Sequence, residues 1–164
     1  MNVLQVLTLV TPDGAYGGPA RVAFNQAAEI RAQGHSVTIT GAGRGYSHSP
    51  DLLYGTPVRL FKGTQLVPLT GHAGIAAPSA LYWMFKNRRS IDVVHVHLGR
   101  DLVSMPAAFL ALLMRKRLIV QTHGMIVRSR HPVAPVLDLL LTRPILRRAD
   151  VVLYLTDKER DDLL

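Results

Sequence analysis

Residues 3–34 constrain this chain more than any other stretch. Val3 to Val10 reads VLQVLTLV, a short apolar run of the kind a strand buried in a parallel sheet requires. Thr11-Pro12-Asp13-Gly14-Ala15-Tyr16 cannot continue it, because proline and glycine break the extended backbone. Gly17-Gly18 leads into Pro19, whose missing N–H is not needed in the first turn of a helix. Ala20, Ala23, Ala27 and Ile30 then recur at helical spacing, with Arg21, Asn25 and Glu29 on the other side. Gly34 suits a left-handed helix end. The expected unit is strand, glycine-rich loop, helix. A free helix start favours an anion, although the same glycines would also serve close packing in any parallel α/β protein. The stretch matches neither G-x-G-x-x-G nor the P-loop, since no Gly-Lys-Ser/Thr follows.

Composition narrows the class. At 164 residues and 48% hydrophobic, the chain suits one domain with a real core and is not disordered. Its longest apolar run, Met105 to Met114, falls short of the roughly 18 residues a membrane span needs. The N-terminus opens directly into a strand, so no signal peptide is expected. Absence of cysteine excludes disulfides and thiolate metal sites and agrees with a reducing cytoplasm. The formal charge of +8 calls for anionic partners. No nucleic-acid module, and no interleaving of basic with exposed aromatic residues, singles out DNA or RNA. The cations gather at 86–89, 115–117, 128–130 and 143–148, where helix ends would accommodate them.

The remaining chain alternates strands with helices. Strands are expected at 36–40, 58–61, 92–97, 118–122 and 151–155. Helices are expected at 78–89, from a cap at Asp101 to about 115, over 134–148 with breaks at Pro135 and Pro144, and from the capping box Thr156-Asp157-Lys158-Glu159 onward. Gly41 to Gly45 superficially resembles a dinucleotide loop but precedes no helical pattern, and 62–77 reads as a long irregular loop. Such alternation predicts a parallel sheet covered on both faces, with ligands outside the carboxyl ends of the strands. Gly17-Gly18, His97-Leu98-Gly99 and His123-Gly124 all fall at those ends.

Gly17-Gly18-Pro19, Arg31-Ala32-Gln33-Gly34-His35-Ser36-Val37, Asp92-Val93-Val94-His95-Val96-His97, Val120-Gln121-Thr122-His123-Gly124, and Ala149-Asp150-Val151-Val152 with Thr156-Asp157-Lys158-Glu159, resemble the N-terminal domain of family-4 retaining glycosyltransferases of GT-B fold. The resemblance covers nearly the whole chain and implies one N-terminal Rossmann-like domain over residues 1–164, α/β with helices on both faces. It implies an acceptor-binding half facing a C-terminal half that holds most of a nucleotide-diphosphate sugar. Gly17 and Gly18 would lie against the donor diphosphate, and His123 would touch the donor sugar as the catalytic residue. Transfer would retain anomeric configuration with no metal and no cofactor beyond the nucleotide sugar. The family's second domain, with its basic phosphate clamp and its E-x7-E glutamates, has no counterpart here. The chain is then either a piece of a longer enzyme or a separately encoded half, and inactive alone.

Other residues admit two readings. His97 and Gly124 are cleft candidates, while His95 reads as a core histidine hydrogen-bonded across helices. His95, His97 and His123 could in principle gather round a metal, but no carboxylate stands ready to orient them. Arg128, Arg130 and His131 could meet an anionic acceptor, which could be a sugar, a lipid or a small molecule, or form an exposed loop. Arg143, Arg147 and Arg148 suit a solvated helix face, and Asp101 a cap rather than a base. In 79–89, Tyr82, Trp83 and Phe85 precede Lys86, Arg88 and Arg89, a composition shared by helices that touch anionic lipid. Leu81, Met84 and Phe85 share a face from which Trp83 departs, lying about 200° from Leu81, so some of these side chains must pack inward. The localisation expected is cytoplasmic, with peripheral contact to the inner face of a membrane. The rival functions are a nucleotide-sugar epimerase, which would place acidic residues at the rim, and a non-catalytic half serving as a partner or membrane-docking subunit.

Overall fold

A computed structural model describes residues 1–14, 17–68, 70–126 and 138–163. The strands are β1 (Asn2–Val10), β2 (Ser36–Gly43), β3 (Leu52–Leu53), β4 (Thr56–Lys62), β5 (Thr64–Gln65), β6 (Ile75–Ala76), β7 (Val93–His97), β8 (Arg117–Gln121) and β9 (Val151–Leu153). The helices are α1 (Gly17–Ala32), α2 (Pro78–Lys86), α3 (Ser104–Leu113), α4 (Arg143–Arg148) and α5 (Asp157–Leu163). Seven strands make one sheet in the order β3-β4-β2-β1-β7-β8-β9, parallel except for β3, which runs antiparallel on β4. This is the expected parallel α/β architecture.

Period-two alternation divides the core between the two faces. Leu4, Val6, Val94, Val96, Leu118 and Val120 pack with α2, α3 and α4. Val3, Leu7, Val37, Ile39 and Val93 pack with Ala23, Phe24 and Ala27 of α1. His95 and His97 alternate with Val94 and Val96, so both point to the α1 face.

Several boundaries differ from expectation for local reasons. β2 runs on to Gly43, so the glycines at 41 and 43 are strand, not loop. A Cβ on Gly41 would strike the Leu7 carbonyl, where the β1–β2 register shifts between Leu7 and Leu9. The long loop is partly ordered, since β5 and β6 pair as a small hairpin around a 3-10 turn at Gly71–Gly74. α2 ends at Lys86 and hands over to a 3-10 turn at Arg88–Ser90. Residues 138–142 form a π-helical turn that gives way to α4 at Arg143, so the expected interruption at Pro144 is a change of helix type with the proline in the first turn of α4, while Pro135 lies outside the described residues. Among the described residues no helix is long and apolar enough to cross a membrane.

Candidate active site at the strand rim

Three βα turns meet at the carboxyl ends of β1, β7 and β8. Leu7, Thr8, Gly17, Gly18, His97 and Met125 share the lining of a cavity of about 310 Å³. Gly17 and Gly18 also border a larger space of about 770 Å³ on the β2 side, walled by Arg21, Phe24, Tyr46 and Tyr54. The two glycines therefore form a bare ridge between two cavities. A Cβ built on either would meet nothing within 4 Å.

The sheet brings the histidines together. His97 ends β7 beside Gln121, the last residue of β8, and the chain then turns through Thr122-His123-Gly124. His123 Nε2 lies 2.7 Å from His97 Nδ1. Their centroids are 5.0 Å apart with planes 18° from parallel, so the rings meet end to end. His95 stacks on His97 from the other side, centroids 4.6 Å apart.

Burial keeps the three rings neutral. It pushes His95 down to about 4, aided by the charge on His123 and opposed by a hydrogen bond with Gln121. His95 is thus the buried core histidine expected, while its Nε2 has no hydrogen-bond partner among the described residues. Burial, then His95 and His123, hold His97 well below the usual histidine value. Burial also lowers His123, opposed by the Glu159 carboxylate. A neutral pair needs one donor and one acceptor in its shared bond. His97 Nε2 is buried with no partner among the described residues, and a buried N–H without an acceptor is rarer than a bare acceptor. Hydrogen-bond logic therefore puts the proton of His97 on Nδ1, donating to His123 Nε2. His123 is left with an Nδ1–H to offer a ligand.

The turn itself is held from below. His123 has φ +52 and Gly124 φ +71, two successive left-handed residues. Glu159, only 4% exposed, accepts from Thr122 Oγ1, from Gly124 N at 2.6 Å and from Leu155 N at 2.7 Å. Burial raises this carboxyl, but the bonds from Thr122, Leu155 and Gly124, with His123 nearby, leave it below the usual glutamate value. Gly124 N–H is consequently spent inside the protein and is not open to a ligand. Asp101 is likewise consumed. It accepts from Val103 N and Ser104 N at the start of α3, and its second oxygen binds Thr8 Oγ1 and Ser104 Oγ.

The rim thus unites Gly17, Gly18, His97, His123 and Gly124. Arg128, Arg130 and His131 lie outside the described residues. Lys86, Arg88 and Arg89 are at the opposite edge, because Asp92, which accepts from Asn2 N at 2.7 Å, leads into the start of β7. Arg143, Arg147 and Arg148 are exposed, as a solvated face requires. Among the described residues no group of three or more His, Cys, Asp or Glu is arranged to hold a metal ion. Sequence reading missed the Arg100–Asp138 ion pair, at 2.7 Å, which ties the β7 turn to the π-helical turn. It gave Glu159 a place in a capping box and in a stretch resembling the family, but no role at the His123 turn; a capping-box glutamate shortly after an apolar strand was the available clue.

A parallel sheet with helices on both faces defines a Rossmann-like α/β domain. More particularly, the chain belongs to the glycosyl transferase 4-like domain family, which matches residues 17–164. Its fold is that of an N-terminal GT-B domain. It is similar to sucrose-phosphate synthase from Thermosynechococcus elongatus, at 13% identity and TM-score 0.63, over 98% of this chain and 44% of that one. It is similar to MurG from Acinetobacter baumannii, at 17% identity and TM-score 0.54, over 93% of this chain and 40% of that one. A Listeria monocytogenes protein described as a UDP-N-acetylglucosamine 2-epimerase shares the fold at 16% identity and TM-score 0.55, over 99% of this chain and 40% of that one. The chain therefore spans less than half the length of these structures. Among curated proteins, none matches it.

Proposed function

We propose that this glycosyltransferase domain is the acceptor-side half of a retaining enzyme that moves a sugar from a nucleotide diphosphate to an acceptor hydroxyl. The anomeric carbon exchanges its bond to the diphosphate oxygen for one to the acceptor oxygen, and the acceptor proton leaves with the diphosphate. The observation that carries this reading is the bare ridge at Gly17 and Gly18. Glycine in a helix interior costs about 1 kcal/mol against alanine, and less at the helix start where these two stand. Here neither a left-handed backbone nor a packed neighbour among the described residues requires it. Close approach of a ligand backbone or phosphate is the remaining reason, and an α-helix start favours that charge. His123 Nδ1–H then serves as a neutral donor to a sugar hydroxyl, and no resident cofactor or metal enters the scheme. The acceptor class (sugar, lipid or small molecule) stays part of the proposal.

The epimerase alternative needs acidic groups free at the rim. Asp101 and Glu159, two carboxylates at the β7 and β8 turns, are buried and engaged by protein donors, which speaks against either of them in that role. The test is an assay of the complete enzyme with nucleotide sugars, following product configuration by proton NMR. Retention at the anomeric centre is expected, with no turnover by the 164-residue chain alone. Inversion, or epimerised donor without transfer, would refute the reading. No donor binding by any form would favour the non-catalytic docking subunit.

A further inference from the structure

Glu159 is the carboxylate around which the His123 turn is built. A non-glycine residue in the left-handed region persists only where its surroundings over-determine it. His123 is such a residue, with φ +52. Its neighbours on both sides are bound to one oxygen of Glu159: Thr122 through its hydroxyl and Gly124 through its N–H. The other oxygen takes Leu155 N, and Glu159 N in turn donates to Thr156 Oγ1 at 3.2 Å. One side chain therefore fastens the β8 turn to the start of α5, a contact spanning 35 residues between Gly124 and Glu159.

We propose that Glu159 is a positioning residue that holds the His123 imidazole at the reacting sugar, acting through the backbone of the turn and not by touching substrate. This rests on the reading of His123 as the group that meets the donor sugar. Its geometry explains why a carboxylate is needed. A carboxylate is acceptor-only, so a single group can take two donors on one oxygen and a third on the other. A glutamine keeps one acceptor oxygen but sets an N–H₂ against Leu155 N. Burial makes that mismatch costly, and the turn is then free to relax from its left-handed conformation. The titratable groups facing His123 are the Glu159 carboxylate from α5 and the neutral rings of His97 and His95 from β7. Of these Glu159 alone favours the imidazolium, so its loss also moves the ring's titration in a defined direction.

The experiment compares Glu159→Gln with Thr156→Ala, which weakens the start of α5 but keeps the carboxylate. Imidazole titration of His123 by NMR is read on the 164-residue chain, without substrate. Kinetics are read on the complete enzyme. Glu159→Gln should titrate His123 at lower pH than wild type and lower kcat about tenfold to a hundredfold, with donor KM nearly unchanged. Thr156→Ala should leave both near wild type. A wild-type titration and kcat in Glu159→Gln would overturn the proposal. So would equal changes in the two variants, which would reduce Glu159 to helix docking. Unchanged kcat in His123→Ala refutes the reading of His123 instead, and the NMR titration still decides whether Glu159 sets the turn.

Discussion

At the residue scale, the site separates groups that serve the fold from groups with no partner among the described residues. Asp101 and Gly124 N–H are saturated by the protein, whereas Gly17, Gly18 and His123 Nδ1 are left over. Two substitutions test the leftovers. His123→Ala should lower kcat about a hundredfold, the range for removing one donor aimed at developing charge. Acceptor KM should stay nearly the same, because a bond tightened in the transition state affects rate rather than ground-state binding. A Cβ on Gly17 meets no described atom within 4 Å, so chemical denaturation of Gly17→Val should move by no more than about 1 kcal/mol. Donor KM should nevertheless rise roughly tenfold or more, a loss of about 1.4 kcal/mol. Wild-type steady-state constants in both variants would place the donor elsewhere.

At the element scale, α2 sorts its aromatics by the side they face. Ala80 and Met84 are buried, and Trp83 packs inward on Phe61, ring centroids 6.2 Å apart. Tyr82 and Phe85 stay out, 63% and 44% exposed. Each has a cation over its ring, Lys86 at 5.4 Å from Tyr82 and Arg88 at 4.3 Å from Phe85. Two aromatics beside a basic cluster are what an interfacial helix offers to anionic lipid. We propose weak, salt-sensitive membrane contact through this face, with Trp83 taking no part. Flotation with anionic vesicles at low salt should retain wild type and release the protein in which Lys86, Arg88 and Arg89 are all serine. Equal flotation of the two, or none by either, removes α2 from that role.

At the scale of the whole molecule, burying neutral histidines links stability to pH. His95 protonates near 6.5 in an unfolded chain but only at about 4 when folded. Between those values the unfolded state binds more protons, so stability rises with pH there. The contribution is fully present above pH 6.5 and is lost as pH falls towards 4. For His95 alone it amounts to about 3 kcal/mol, and His97 adds to it in the same direction. Urea denaturation of the chain between pH 7.5 and 4 should show midpoint falling with pH, and His95→Gln should flatten that slope. A slope identical to wild type in that variant would contradict the burial of a neutral ring.

The sequence by itself determined the parallel α/β class, the order of the main strands and helices, and the rim on which Gly17-Gly18, His97 and His123 stand. Those features are local: alternation of apolar residues reports which face is buried, and glycine and proline report where the backbone must turn. Short strands such as β3 and the β5–β6 hairpin escaped it, because two-residue pairings have no period to read. Pro144 did mark a boundary, but the sequence could not show that a π turn precedes it and that the ring opens the first turn of a new helix. Tertiary structure alone decided the His97–His123 bond, the tautomer it imposes and the carboxylate of Glu159 under the turn. These join residues 26 and 35 or more apart, through the register of β7 on β8 and the docking of α5. No local spacing encodes a register, because it is fixed by all the side chains of the sheet packing at once.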